Sequence, residues 1–67
     1  MQVLGIAVGK DELLSIAHES GITATPTPAA NVINIDFMNF DTFQFFAALR
    51  GLKASVSNET GRLLVSR

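Results

Sequence analysis

His18 is the only imidazole in a chain of 67 residues that contains no cysteine. Zinc sites and nucleophilic triads need several donor groups converging on one point, and a lone histidine with Glu19 beside it supplies neither. His18 therefore reads as a surface residue. Asp11, Glu12 and Glu19 offer hard oxygen ligands but lack the alternating carboxylates of a calcium loop. Placement at the positive end of a helix accounts for Asp11 and Glu12. Gly5 and Gly9 belong to neither G-x-G-x-x-G nor G-x-x-x-x-G-K-[ST], so Lys10 after Gly9 does not mark a phosphate loop. Asn58-Glu59-Thr60 matches a glycosylation acceptor, which matters only in an exported chain. No catalytic residue, cofactor or metal is expected, and an enzyme is the least favoured class.

The side chains left for function are apolar and basic. Phe37, Phe40, Phe43, Phe45 and Phe46 fall within ten residues, with Met38 among them. Core packing claims most of these rings, and Phe40 or Phe43 beside Met38 is expected to face water as an apolar contact patch. Residues 1–49 carry Lys10 against Asp11, Glu12, Glu19, Asp36 and Asp41, whereas residues 50–67 carry Arg50, Lys53, Arg62 and Arg67 against Glu59. This asymmetry predicts a basic C-terminal end. The candidate protein-binding set is thus Met38, Phe40, Phe43, Arg50, Lys53 and Arg62. The net charge of −1 argues against general affinity for nucleic acid, which depends on many Lys and Arg neutralising phosphates.

The elements that must position these residues are short. A chain of this length is read as one domain, residues 1–67, and buries only about 60% of the surface its unfolded form exposes. Small domains compensate with disulfides, a structural metal or oligomerisation. With no cysteine, and with 48% hydrophobic residues, a homo-oligomer (a dimer first) or a permanent protein partner is expected. No apolar run approaches the roughly 20 residues of a membrane span. The N-terminal Met1-Gln2-Val3-Leu4-Gly5 lacks the basic region of a secretory signal, so a soluble, cytoplasmic protein is expected.

Residues 2–8 are β-prone and apolar at nearly every position, which predicts a central strand with Leu4, Ile6 and Val8 in the core and Gly5 and Ala7 where something approaches closely. After Gly9 the period changes, and Leu13, Leu14, Ile16 and Ala17 predict a helix over about 11–20, closed by Gly21 with Ile22 behind it. Residues 22–28, with alternating Thr and with Pro26 and Pro28, read as an edge strand or as a loop; the edge strand is preferred. Ala29-Ala30-Asn31 would then form its turn. Ile33, Ile35 and Phe37 alternate with Asn34 and Asp36, predicting a strand with one buried and one wet face.

Asp41 and Gln44 have the spacing of a capping box, with Phe40 stapled onto Phe45, so a second helix is expected to start at Asp41. Its core face would hold Phe45, Phe46 and Leu49, with Gly51 as the stop. Phe43 lies off that stripe, at the core margin or exposed. Residues 53–58 and 62–65 read as a final hairpin turning at Glu59-Thr60-Gly61.

The resulting order, βαββαβ with an extra C-terminal strand, resembles the ferredoxin-like fold: an antiparallel sheet with two helices on one face. The expected first and third strands are central there, and the prolines fall on an edge. If residues 22–30 were a loop, the order would be βαβαββ. The stretch from Gly21 through Val32–Phe37 to Ala48–Val56 also resembles, in spacing, small heavy-metal-associated domains. Those domains hold metal with two cysteines in the loop after the first strand. Here that loop reads Val8-Gly9-Lys10-Asp11-Glu12, so metal binding is not implied.

The favoured function is a small non-catalytic protein-binding module or inhibitor acting by surface contact, of the kind phages and mobile elements direct at host machinery. The alternatives are a dimeric small-ligand-binding regulatory domain, with Gly5 and Gly9 lining the pocket, and a nucleic-acid-associated protein using the basic end. RNA recognition on such a sheet would need aromatics on its open face, where the sequence puts Asn34, Asp36 and small residues.

Overall fold

Runs of branched and apolar residues alternating with polar or small ones set up five strands. In the computed structural model, which describes residues 1–67, β1 spans Gln2–Ile6, β2 Ala24–Pro26, β3 Val32–Ile35, β4 Lys53–Val56 and β5 Leu63–Ser66. Helix α1 covers Lys10–Glu19 and helix α2 covers Phe40–Leu49, preceded by one 3₁₀ turn at Phe37–Asn39. The sheet order is β2-β3-β1-β5-β4. β1 pairs antiparallel with β3, and β3 antiparallel with β2.

The first four strands lie as in the ferredoxin-like fold, with β1 and β3 inside and β2 and β4 at the edges. Ala24–Pro26 pairs with Ile35–Ile33, so the edge strand forms and the βαβαββ order does not. The difference lies at the C-terminus. β5 is inserted between β1 and β4, parallel to β1 and antiparallel to β4, so the sheet is mixed rather than wholly antiparallel. Gly61, at φ 67°, closes the turn with its N–H donating to Ser57 O at 2.8 Å, which folds β5 back along β4. Leu63 and Val65 on β5 are fully buried, and a position between two strands covers them in a way an edge would not.

Thirteen apolar residues form one core: ten come from both helices and one face of the sheet, and Val8, Ile22 and Leu52 come from the connecting segments. Leu13, Ile16 and Ala17 of α1 and Phe43 and Ala47 of α2 meet Val3, Ile33, Ile35, Leu63 and Val65. Both helices therefore cover the same face, as expected for this fold. Their ends also follow the expected stops. Gly21 (φ 72°) and Gly51 (φ 76°) take left-handed backbone, and the N–H groups of Ile22 and Leu52 return to Ala17 O and Ala47 O at 2.9 and 3.0 Å.

Three expectations about which side faces in are reversed. On β1 the core face is Val3 and Gly5, while Leu4 is half-buried and Ile6 is 51% exposed. Ala7 takes φ 58° and turns the chain so that Val8 folds back over Gly5; a Cβ on Gly5 would stand 2.1 Å from Val8 O. Val8 is buried as expected, but from the loop and not from the strand. β3 ends at Ile35, and Asp36 accepts from Met38 N at 2.9 Å, capping the 3₁₀ turn; Phe37 is thereby carried out of the core.

The third reversal is on α2. The helix starts at Phe40 behind Asn39, without a side-chain cap, and the capping box of Asp41 and Gln44 does not form. Gln44 Nε2 donates to Ala54 O of β4 at 2.6 Å instead. Phe40 packs near Phe37, with ring centroids 5.4 Å apart, rather than stapling onto Phe45. Phe43 is fully buried, whereas Phe45 and Leu49, expected in the core, are exposed. Ala47, one turn after Phe43, is the small residue that lets this face approach its neighbours closely. Phe46 is half-buried against the core. No helix is long and apolar enough to cross a membrane.

Candidate functional site

Neither His18 nor the carboxylates build a chemical centre. No group of three or more His, Asp or Glu side chains converges, and His18 is exposed near the end of α1. One concavity, of about 400 Å³, opens between Gly9, Lys10, Asp11 and Ala30. Its lysine is already committed: Lys10 Nζ donates to Thr27 O at 2.6 Å and Lys10 N donates to Ala30 O at 2.9 Å. Asn31 adds a second tie, its Nδ2 donating to Gly5 O at 2.7 Å. These bonds fasten the β2–β3 loop to the end of β1 and the start of α1, so the polar groups here hold the fold together.

The residues expected to form one contact surface are dispersed. Met38 is 86% exposed on the 3₁₀ turn, Phe40 is half-buried beside the core, and Phe43 is removed from any surface by complete burial. Arg50 is turned towards α1, where it donates to Ser15 Oγ at 2.8 Å and pairs with Glu19. Arg67 pairs with Glu12 at 2.6 Å. Two of the four cations of the basic end are thus neutralised by α1. Lys53 and Arg62 are exposed and make no ion pair.

Two apolar surfaces emerge in place of the expected one. The first is the outer side of α2, where Phe45 (61% exposed) and Leu49 (67%) stand one turn apart. Phe37 and Met38 on the preceding turn add further apolar area, and Asp36 and Asp41 are exposed beside them. Phe45 touches Phe46 edge to face, with centroids at 5.6 Å, so its ring rests against its neighbour although one side is open.

The second surface is the uncovered face of the sheet. Directly paired residues share a face, so Val32, Leu4 and Leu64 form a row across three central strands, with Ile6 next along β1. The three in the row are half-buried by one another. Gln2, Asn34, Thr25, Ser55 and Ser66 surround them, and Lys53, opposite Ser66, supplies the charge. Arg62, two residues before Leu64, extends that side by strand alternation. No strand residue on this face carries a carboxylate, and Asp36, two residues past Asn34, follows the same alternation just beyond β3.

Sequence pattern missed both surfaces for identifiable reasons. Phe40-Asp41-Thr42-Phe43-Gln44-Phe45-Phe46-Ala47-Ala48-Leu49 has aromatic residues on every side, so its periodicity does not single out a buried face. The signal that was available is Ala47, four residues after Phe43, since a small residue beside a large one marks the side that packs closely. On β1 the same signal is Gly5: a residue without a side chain belongs where another main chain crosses it.

Comparison of the chain with protein-family models, with curated proteins and with solved structures finds no match to any of them.

Proposed function

We propose that this protein is a small non-catalytic binding module that acts by surface contact, with the outer side of α2 as its principal contact surface. The observation that carries the proposal is the exposure of Phe45 and Leu49, one helical turn apart and continued by Phe37 and Met38. A helix that presents apolar anchors at i and i+4 offers a stripe that a partner's apolar surface can cover. Leaving these side chains in water has no benefit for the isolated fold, because the core is already filled by Phe43 and Ala47. The same proposal puts the module in the cytoplasm.

The test is a photo-crosslinking residue in place of Phe45, expressed in the source cell, followed by binding measurements with the captured partner. Replacement of Phe45 and Leu49 by Asp is expected to abolish binding while the circular dichroism spectrum is retained. Binding unchanged by the double replacement would overturn the assignment to α2.

A further inference from the structure

We infer that the occupant of the α2 surface is the uncovered sheet face of a second copy of this chain, so that copies stack head to tail. The inference rests on the reading of the outer side of α2 as a binding surface, and names what covers it.

Charge selects the pairing. The apolar stripe of α2 carries exposed Asp41 one turn before Phe45, and the cation that follows the helix, Arg50, is held by Glu19 and Ser15 on α1. The apolar row on the sheet is flanked by Lys53 and Arg62 on its β4–β5 side, and the one carboxylate in line with that face, Asp36, lies beyond the end of β3. Two copies can join these surfaces in three ways. Helix against helix brings Asp41 of each copy to the contact with no free cation to meet it. Sheet against sheet brings Lys53 and Arg62 against their own copies. Helix against sheet alone puts apolar on apolar and acid beside base.

Placement of the two surfaces fixes the kind of assembly. Phe45 and Leu49 each lie two residues, or about 200°, from Phe43 and Ala47, so the stripe points directly away from the core. The helices cover one side of the sheet, and the open face is the other. The two surfaces are therefore on opposite sides of a body whose Cα extents are 26 × 24 × 23 Å. A heterologous contact between opposite sides does not close into a dimer; it extends into a stack. A standard contact covers about 800 Å² on each partner, roughly a fifth of the 3993 Å² surface of this chain. Covering both faces would give a short chain the burial that its own core cannot supply.

Sedimentation velocity over a series of protein concentrations tests this, with folding checked by circular dichroism. The wild-type chain is expected to grow from monomer into a ladder of species, and added salt is expected to shift that growth to higher concentration. Phe45→Lys blocks only the helix side, and the Lys53→Glu/Arg62→Glu double variant blocks only the sheet side. Each variant alone is expected to need about tenfold more protein, or greater, to associate. Mixed together they are expected to form a one-to-one heterodimer, because one keeps an intact sheet face and the other an intact helix stripe.

A wild-type chain that stays monomeric throughout would overturn the inference, as would a Lys53→Glu/Arg62→Glu variant that associates like wild type. Either result leaves the α2 surface to be decided by the crosslinking experiment, so the two readings fail separately.

Discussion

Gln44 on α2 donates its side-chain amide to Ala54 O of edge strand β4 at 2.6 Å. Ser57 N donates to Arg62 O across the same hairpin, so alternate pairs bond and the main-chain groups of Ala54 point away from β5. An incoming strand would need that carbonyl, and Gln44 occupies it. At the other edge, Pro26 on β2 removes a donor. Replacement of Gln44 by Ala is expected to cost about 1 kcal/mol in urea unfolding, the net worth of one hydrogen bond. It should also raise light scattering on prolonged incubation, because a four-residue edge becomes available for pairing. A variant with unchanged stability and scattering would show that the edge needs no cover.

The phenylalanines of α2 separate cleanly into core and surface. Phe43 is wholly buried and Phe45 is 61% exposed, although they are two residues apart. Phe43→Ala is expected to cost about 3–5 kcal/mol, comparable with the whole stability of a small domain, and to leave the chain largely unfolded at room temperature. Phe45→Ser is expected to stay within about 0.5 kcal/mol of wild type in the monomer. Equal losses in the two variants, read by urea titration, would show that the helix is rotated from the phase described.

Much of the fold was legible because short-range rules and tertiary packing agreed. Gly21 and Gly51 ended helices where a left-handed residue followed an apolar run, and Thr25-Pro26 fell on an edge because proline cannot serve a central ladder. Facing was legible only where one side was polar. Ile33 and Ile35 alternate with Asn34, and their side was fixed by that contrast. Residues 2–8 and 40–49 are apolar on every side, so their orientation follows from contacts no local pattern encodes: Val8 crossing Gly5, and Ala47 clearing space beside Phe43. The candidate surface shared this fate. Phe43 was expected at the core margin or exposed and Phe45, Phe46 and Leu49 inside, so a rotation of α2 exchanged core and surface at Phe43, Phe45 and Leu49. The open face of the sheet emerged only after strand register was known.

Arg50 and Glu19 join α2 to α1, with side chains 30% and 53% exposed. Solvent at this exposure screens the pair, so a double-mutant cycle with Arg50→Met and Glu19→Gln is expected to give about 0.2–1 kcal/mol of coupling that fades with added salt. The Ser15 hydroxyl, also bound by Arg50, offers a second acceptor at the same junction. Replacing Glu19 alone should therefore cost less than replacing Arg50, whose loss removes both contacts. A coupling that persists in high salt would mean that water is better excluded from this junction than its exposure implies.

Gly5 and Gly9 flank the tight turn between β1 and α1 and are predicted to respond in opposite directions. A Cβ on Gly5 would meet Val8 O at 2.1 Å, and that atom is main chain, held by the positive φ of Ala7. Gly5→Ala must therefore push β1 and the loop apart, at an expected cost of about 1–3 kcal/mol. Gly9 has open space around its Cα and extended backbone, φ −82° and ψ 167°, at the N-cap of α1, where no side chain caps the helix. Gly9→Ser should place a hydroxyl on the free N–H groups of the first turn and raise stability by a few tenths of a kcal/mol. Urea unfolding of the two variants checks both signs. A tolerated Gly5→Ala would mean that Val8 does not close over β1, and the β1–α1 loop would then have to be redrawn.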